Sequence, residues 1–141
     1  MTIANKTLKL FSNIIKSFAP PKKLTVSEWA DTNRKLSRET SAEPGQWRTS
    51  RTPYLEAIMN AFSDPYINKI TVMSSSQVGK SELINNILGY VIDMDPGPML
   101  LIQPTLDLVK EYGTQRVGPM LRDTPTLADK VTKDNTFPSG S

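Results

Sequence analysis

The 141-residue chain contains no cysteine and no histidine. Without cysteine there are no disulfides and no thiolate metal sites. Without histidine the commonest general base and the commonest zinc ligand are gone, and with them Ser-His-Asp and Cys-His catalysis. Long apolar runs are missing too: the longest are a few residues, far short of the ~18 that span a bilayer. Lys6, Lys9 and Lys16 interleave with the first apolar residues, whereas a signal peptide keeps its charges ahead of a continuous apolar stretch. The expectation is a soluble, intracellular protein with no membrane partner. Its chemistry must run on carboxylates, lysines, hydroxyls, backbone amides or a hard metal ion.

The net charge is +3, unevenly placed. Residues 1–27 carry five lysines and no acid, which leaves the rest of the chain at −2. Residues 3–18 set Ile3, Leu8, Leu10, Phe11, Ile14, Ile15 and Phe18 at rough helical spacing, which predicts an amphipathic basic arm. Pro20-Pro21 then acts as an extended spacer, so residues 1–23 read as arm and linker.

Residues 24–66 read as a helical and loop segment. A short helix is predicted over 26–36, capped by Ser27, with Trp29 and Leu36 buried. A turn-rich loop over 37–53 follows, with Arg38, Arg48 and Arg51 around an exposed Trp47, which reads either as an ordinary solvated loop or as a surface for phosphate contact and ring stacking. Pro53 opens a helix over 54–63 whose apolar positions are Tyr54, Ile58, Ala61 and Phe62.

Residues 67–132 alternate in character. Lys69-Ile70-Thr71-Val72-Met73 predicts a buried strand. Leu83, Ile84, Ile87, Leu88, Val91 and Ile92 predict a helix stopped by Pro96-Gly97-Pro98. Met99-Leu100-Leu101-Ile102 predicts a second strand, and Met94, Met99 and Met120 read as core fillers. Thr105 caps a last helix through Leu106, Val109, Tyr112, Arg116, Val117 and Met120, kinked at Gly118-Pro119. This βαβα order predicts two parallel strands with flanking helices in a three-layer α/β fold. Residues 133–141 form a polar tail.

The chemistry lies at Ser74-Ser75-Ser76-Gln77-Val78-Gly79-Lys80-Ser81, between the first predicted strand and its helix. A phosphate-binding loop in this place turns backbone amides inward, and the helix N-terminus adds partial positive charge. Lys80 is placed to neutralise β- and γ-phosphate oxygens and Ser81 to hold Mg2+. The consensus opens with glycine where this chain has Ser74. The alternative is an ordinary strand–turn–helix with Ser81 as a cap.

This loop resembles the variant Walker A of tailed-phage terminase large subunits, which often begin with serine. Glu43-Pro44-Gly45-Gln46-Trp47-Arg48-Thr49-Ser50-Arg51-Thr52-Pro53-Tyr54, Leu24 to Asp31 and Leu100 to Thr105 resemble the lambda-like GpA branch. The resemblance covers about residues 24–131. It implies a P-loop NTPase fold using ATP and Mg2+ to drive double-stranded DNA into a procapsid in the host cytoplasm, with a nuclease domain behind. The implied partners are DNA and the small terminase subunit, and the portal and procapsid for the full-length protein. By position it implies that Ser74–Gly79 cradle phosphate, with Lys80 and Ser81 as above. It places Arg51 and Tyr54 on the adenine side and makes Gln103 and Thr105 sensors of DNA or nucleotide.

Two departures stand out. No arginine lies within Ser74–Val78, and no acidic pair follows a later apolar strand, since Asp93 and Asp95 sit at a helix end before Pro96. The expectation is therefore the N-terminal ATP-binding portion of a longer ATPase, whose nucleotide binding alone is weak or absent and whose turnover is negligible. The alternative is a non-catalytic module that binds the small subunit or DNA through its basic arm.

Overall fold

A computed structural model describes residues 23–131. The predicted arm over 3–18 and the tail over 133–141 lie outside the described residues. Helix α1 (Val26–Asn33) is fixed at its start by a capping box: the Thr25 hydroxyl accepts from Glu28 N, and the Glu28 carboxylate accepts from Thr25 N. The cap is thus Thr25, not Ser27. Ser27 is buried one turn in, and its hydroxyl donates to Asn60 Oδ1 at 2.6 Å. The helix stops at Asn33 because Arg34 turns extended into strand β1 (Lys35–Leu36). That strand pairs antiparallel with β2 (Gly45–Gln46), with Lys35 opposite Gln46 and Leu36 opposite Gly45.

After a 3-10 turn at Thr49–Arg51, helix α2 (Pro53–Phe62) begins on a proline, as expected. The buried face is not the predicted one. Leu55 and Met59 are buried, whereas Tyr54 and Phe62 remain 55% and 40% exposed. The rotation has a polar cause. Asn60 and Ser63 face the start of α1, where they accept from the Ser27 hydroxyl and from Val26 N.

Helix α3 (Lys80–Met94) runs through the centre and ends before Pro96, as expected. It contacts α1, α2 and α6 (Pro125–Ala128). Gly89 is what permits the closest approach. A Cβ there would overlap the Trp29 ring, lying 2.9 Å from Cζ3 and 3.3 Å from Leu127 Cδ1. The Trp29 indole donates to Asp93 Oδ2 at 2.7 Å and meets Tyr90 edge-on, the ring centroids 6.5 Å apart. Val26, Trp29, Leu55, Met59, Leu83, Met120 and Leu127 make up most of the core.

Helix α4 (Leu106–Tyr112) is capped by Thr105, whose hydroxyl accepts from Leu108 N at 3.3 Å. It passes through a π-helical turn (Gly113–Val117) into α5 (Gly118–Asp123). Pro119 has no N–H and would crowd the carbonyl of residue 115; the wider turn lies just before it, and an α-helix restarts at Gly118. Leu106 and Val109 are 72% and 42% exposed; the buried contacts come later, from Val117 and Met120.

The predicted parallel strands need correction. Residues 69–73 and 99–102 are unpaired, and among the described residues the sheet is the two-stranded antiparallel β1–β2. Ile70, Val72 and Met73 are 38%, 38% and 97% exposed, and Leu100 and Ile102 are 85% and 78% exposed. No amide of residues 68–76 or 96–104 bonds a backbone carbonyl among the described residues. β-branched composition favours a pleated surface, but a strand exists only with a ladder partner. Met99, at 46% exposure, is likewise no core filler, whereas Met120 is. Trp47 corrects the other way: it is 5% exposed, its indole donates to Thr49 Oγ1 at 3.1 Å, and its ring is not open for stacking. Its amide continues the hairpin by donating to Arg34 O.

Candidate functional site

The loop before α3 has the backbone of a tight cradle. Gln77 takes φ +59 and Gly79 φ +82, two left-handed residues within three. Glycine meets the second without strain. Helix α2 backs the loop, since Leu55 Cδ1 lies 3.4 Å from where a Gly79 Cβ would be, and the Tyr54 hydroxyl donates to Val78 O at 3.2 Å. Lys80 folds over the loop, its Nζ donating to Ser75 O at 2.9 Å and Ser74 O at 3.2 Å. Gly79 O accepts from Leu83 N, so the α3 amides begin directly behind the lysine.

Beside the loop opens a cleft of about 390 Å³ lined by Lys80, Ser81, Gln103, Glu111, Tyr112, Gln115 and Arg116, among others. Three predicted site residues, Lys80, Ser81 and Gln103, therefore share one cavity. Ser74, Ser75, Ser76, Gln77, Val78 and Gly79 form the adjoining turn. Tyr54 touches that turn at Val78 and does not line the cavity. Arg51 is not drawn to it; its guanidinium pairs with Glu43. Thr105 is occupied in capping α4.

The sequence reading missed the cleft's far wall. Leu108, Glu111, Tyr112, Gln115 and Arg116 recur at helical spacing along α4 and the π-helical turn, a mixed stripe beside the apolar one. The Tyr112 hydroxyl donates within reach of Asn85 Oδ1 at 2.8 Å and Ser81 O at 3.3 Å. Burial, and then the Glu82 charge, push its pKa up to about 12, so it is a neutral donor at ordinary pH. Glu82, in the first turn of α3, accepts from Arg34 Nη2 at 3.0 Å, and the Arg34 side chain is 3% exposed. Burial holds the Arg34 guanidinium below its ordinary pKa, with Glu82 pulling the other way.

The donor set suits a polyphosphate. It offers a lysine, a hydroxyl and a helix N-terminus at a cleft of ligand size, with a left-handed turn adjoining it. For Mg2+ the chain offers the Ser81 hydroxyl, and Glu111 lines the same cleft. No cluster of three or more acidic side chains that could hold a metal occurs among the described residues. Asp93 is committed elsewhere, between the Trp29 indole and Lys130 Nζ at 2.6 Å.

Residues 41–140 match the family model described as phage terminase large subunit gpA, ATPase domain. The chain belongs to that family. It is 30% identical over 147 aligned positions to the terminase large subunit of Escherichia phage lambda, covering 97% of this chain and 23% of that protein. It is 29% identical over 109 positions to the terminase large subunit of Enterobacteria phage P21, covering 77% of this chain and 17% of that one. The chain thus spans about a fifth of the length of these relatives. No solved structure matches it. Among the described residues no helix is long and apolar enough to cross a membrane.

Proposed function

We propose that this gpA-family chain binds ATP with Mg2+ in the cleft beside Lys80. One observation carries the reading: Lys80 and Ser81, at the start of a fifteen-residue helix behind a left-handed turn, line a cavity sized for a ligand. Family membership supports it. Lys80 would exchange its two loop carbonyls for β- and γ-phosphate oxygens, and the Ser81 hydroxyl would hold Mg2+. Bound Mg2+ supplies charge neutralisation at the phosphates. Amides of the 74–79 turn would face the phosphates, and Tyr54, on the Val78 side, would flank the base. Arg51 is held at Glu43 and takes no part.

Turnover needs a group that orients or activates water. Asp93 is tied into the Trp29 contact, so the described residues offer Glu111 as the cleft's carboxylate. We propose that the chain binds nucleotide without appreciable hydrolysis. In a protein of the relatives' length, the same site would power movement of double-stranded DNA into procapsids, with the small terminase subunit as a partner.

Calorimetric titration of the chain with Mg-ATP, against Lys80→Ala, tests this. The substitution should weaken binding at least about tenfold, the scale of one charge-assisted contact. Equal affinity of the two proteins would refute it.

A further inference from the structure

We infer that Arg116 is the second cation of this cleft, donating to the terminal phosphate of the bound nucleoside triphosphate. The inference rests on the nucleotide-binding reading of Lys80. It comes from how Arg116 is held. The residue lies in the π-helical turn, across the cleft from Lys80 and Ser81, and its side chain is 41% exposed. Among the described residues its guanidinium makes one hydrogen bond, from Nη1 to Thr40 O at 3.3 Å. The nearest carboxylate oxygen, Glu82 Oε1, is 4.0 Å away.

Glu82 is no competitor for it. The other carboxylate oxygen takes Arg34 Nη2 at 3.0 Å, and that arginine is 3% exposed. Glu82 therefore steadies Arg116 at one end and leaves Nε and Nη2 for an incoming acceptor. A guanidinium presents these donors in a fixed fork that matches phosphate oxygens.

The cleft's position selects which phosphate. Its wall includes Lys80 and Ser81 but none of residues 74–79, and Tyr54, which touches the loop at Val78, is not part of that wall. Lysine and serine of such a loop serve the β- and γ-phosphates. Arg116 lines that same cleft. A terminal phosphate beside Glu111 needs more than one cation, and Arg116 is the further cation in the wall.

The test is titration of the full chain and its Lys80→Ala, Arg116→Ala and Arg116→Lys variants with Mg-ATP and Mg-ADP, with far-UV circular dichroism to check folding. Arg116→Ala should weaken ATP by about ten- to a hundredfold and ADP by less than about threefold. Lys80→Ala should weaken both, and Arg116→Lys should recover part of the ATP loss. Equal losses for ATP and ADP in Arg116→Ala, or none, would overturn the assignment while leaving Lys80 binding intact. A wild-type chain that takes neither nucleotide would overturn both readings. Should Arg116→Ala lose its helical spectrum, the wild type carries the test. Mg-ATP, and not Mg-ADP, should protect Arg116 from phenylglyoxal, and equal modification in the two would overturn the assignment.

Discussion

The side of the molecule around Trp29 and the side around residues 69–73 and 99–102 both carry large apolar residues and differ in what these meet. Trp29, Met59 and Leu127 are fully buried, because α1, α2 and α6 each present a face to α3 and Gly89 lets the indole sink onto it. Ile70, Val72, Leu100 and Ile102 stay exposed, without a ladder or a covering layer among the described residues. Hydrophobicity by itself commits a segment to neither state; a partner surface does. The loop over residues 74–79 lies at the seam, joined to the packed side through Leu55 and Gly79 and to the open side through residues 71–73.

The sharpest way to break this comparison is to truncate one side chain on each side. Trp29→Ala removes a ring at 0% exposure and leaves Asp93 without its indole donor; it should destabilise by about 3–5 kcal/mol. Leu100→Ala, at 85% exposure, should change stability by no more than about 0.5 kcal/mol. Urea midpoints measure both. Similar losses from the two would mean that the 99–102 segment is covered and the contrast is wrong.

What was legible in the sequence follows the same division. Helix existence and most helix ends were readable because they depend on neighbours in the chain: Thr105, Pro53 and the stop before Pro96 fell where local chemistry puts them, while the first cap fell on Thr25 and not on Ser27. The Gly79-Lys80-Ser81 motif lies at the start of a helix for the same reason. Faces were less readable. Leu55 and Met59 turned inward because distant Val26 and Ser27 needed Ser63 and Asn60 as partners, which no periodicity shows. Trp47 sits in a turn-rich stretch that looks solvated, yet a hairpin closed over it. The cleft's far wall depended on α4 folding back toward Lys80, so Glu111, Tyr112 and Arg116 entered the site by tertiary contact alone.

Gly89→Ala tests the packed side more finely, since it adds one methyl and removes nothing. The new Cβ would lie within contact distance of both Trp29 and Leu127, and neither is the loose end of a flexible chain. Overpacking of this kind destabilises by about 1–3 kcal/mol. At an exposed helix position the same change would stabilise by up to about 1 kcal/mol. The sign of the shift in thermal midpoint therefore reports whether the indole sits against α3 as described. A rise would show that the ring has room.

The smallest effect is a pH dependence at the seam. Tyr112 is half-buried, with its hydroxyl between Asn85 and Ser81 and the Glu82 charge nearby. Its pKa is raised from 10.0 in the unfolded chain to about 12 in the folded one. A raised pKa contributes stability that is complete below pH 10 and disappears as pH climbs through 12, because the unfolded chain gives up its proton first. After allowance for partial exposure, the contribution is about 1 kcal/mol. Lysines titrate in the same window, so the quantity to measure is the stability of wild type minus that of Tyr112→Phe, followed from pH 9 to about pH 12. That difference should fall with pH. A flat difference would mean that the hydroxyl faces water, and that Tyr112 does not join the cleft's far wall to the Ser81 carbonyl.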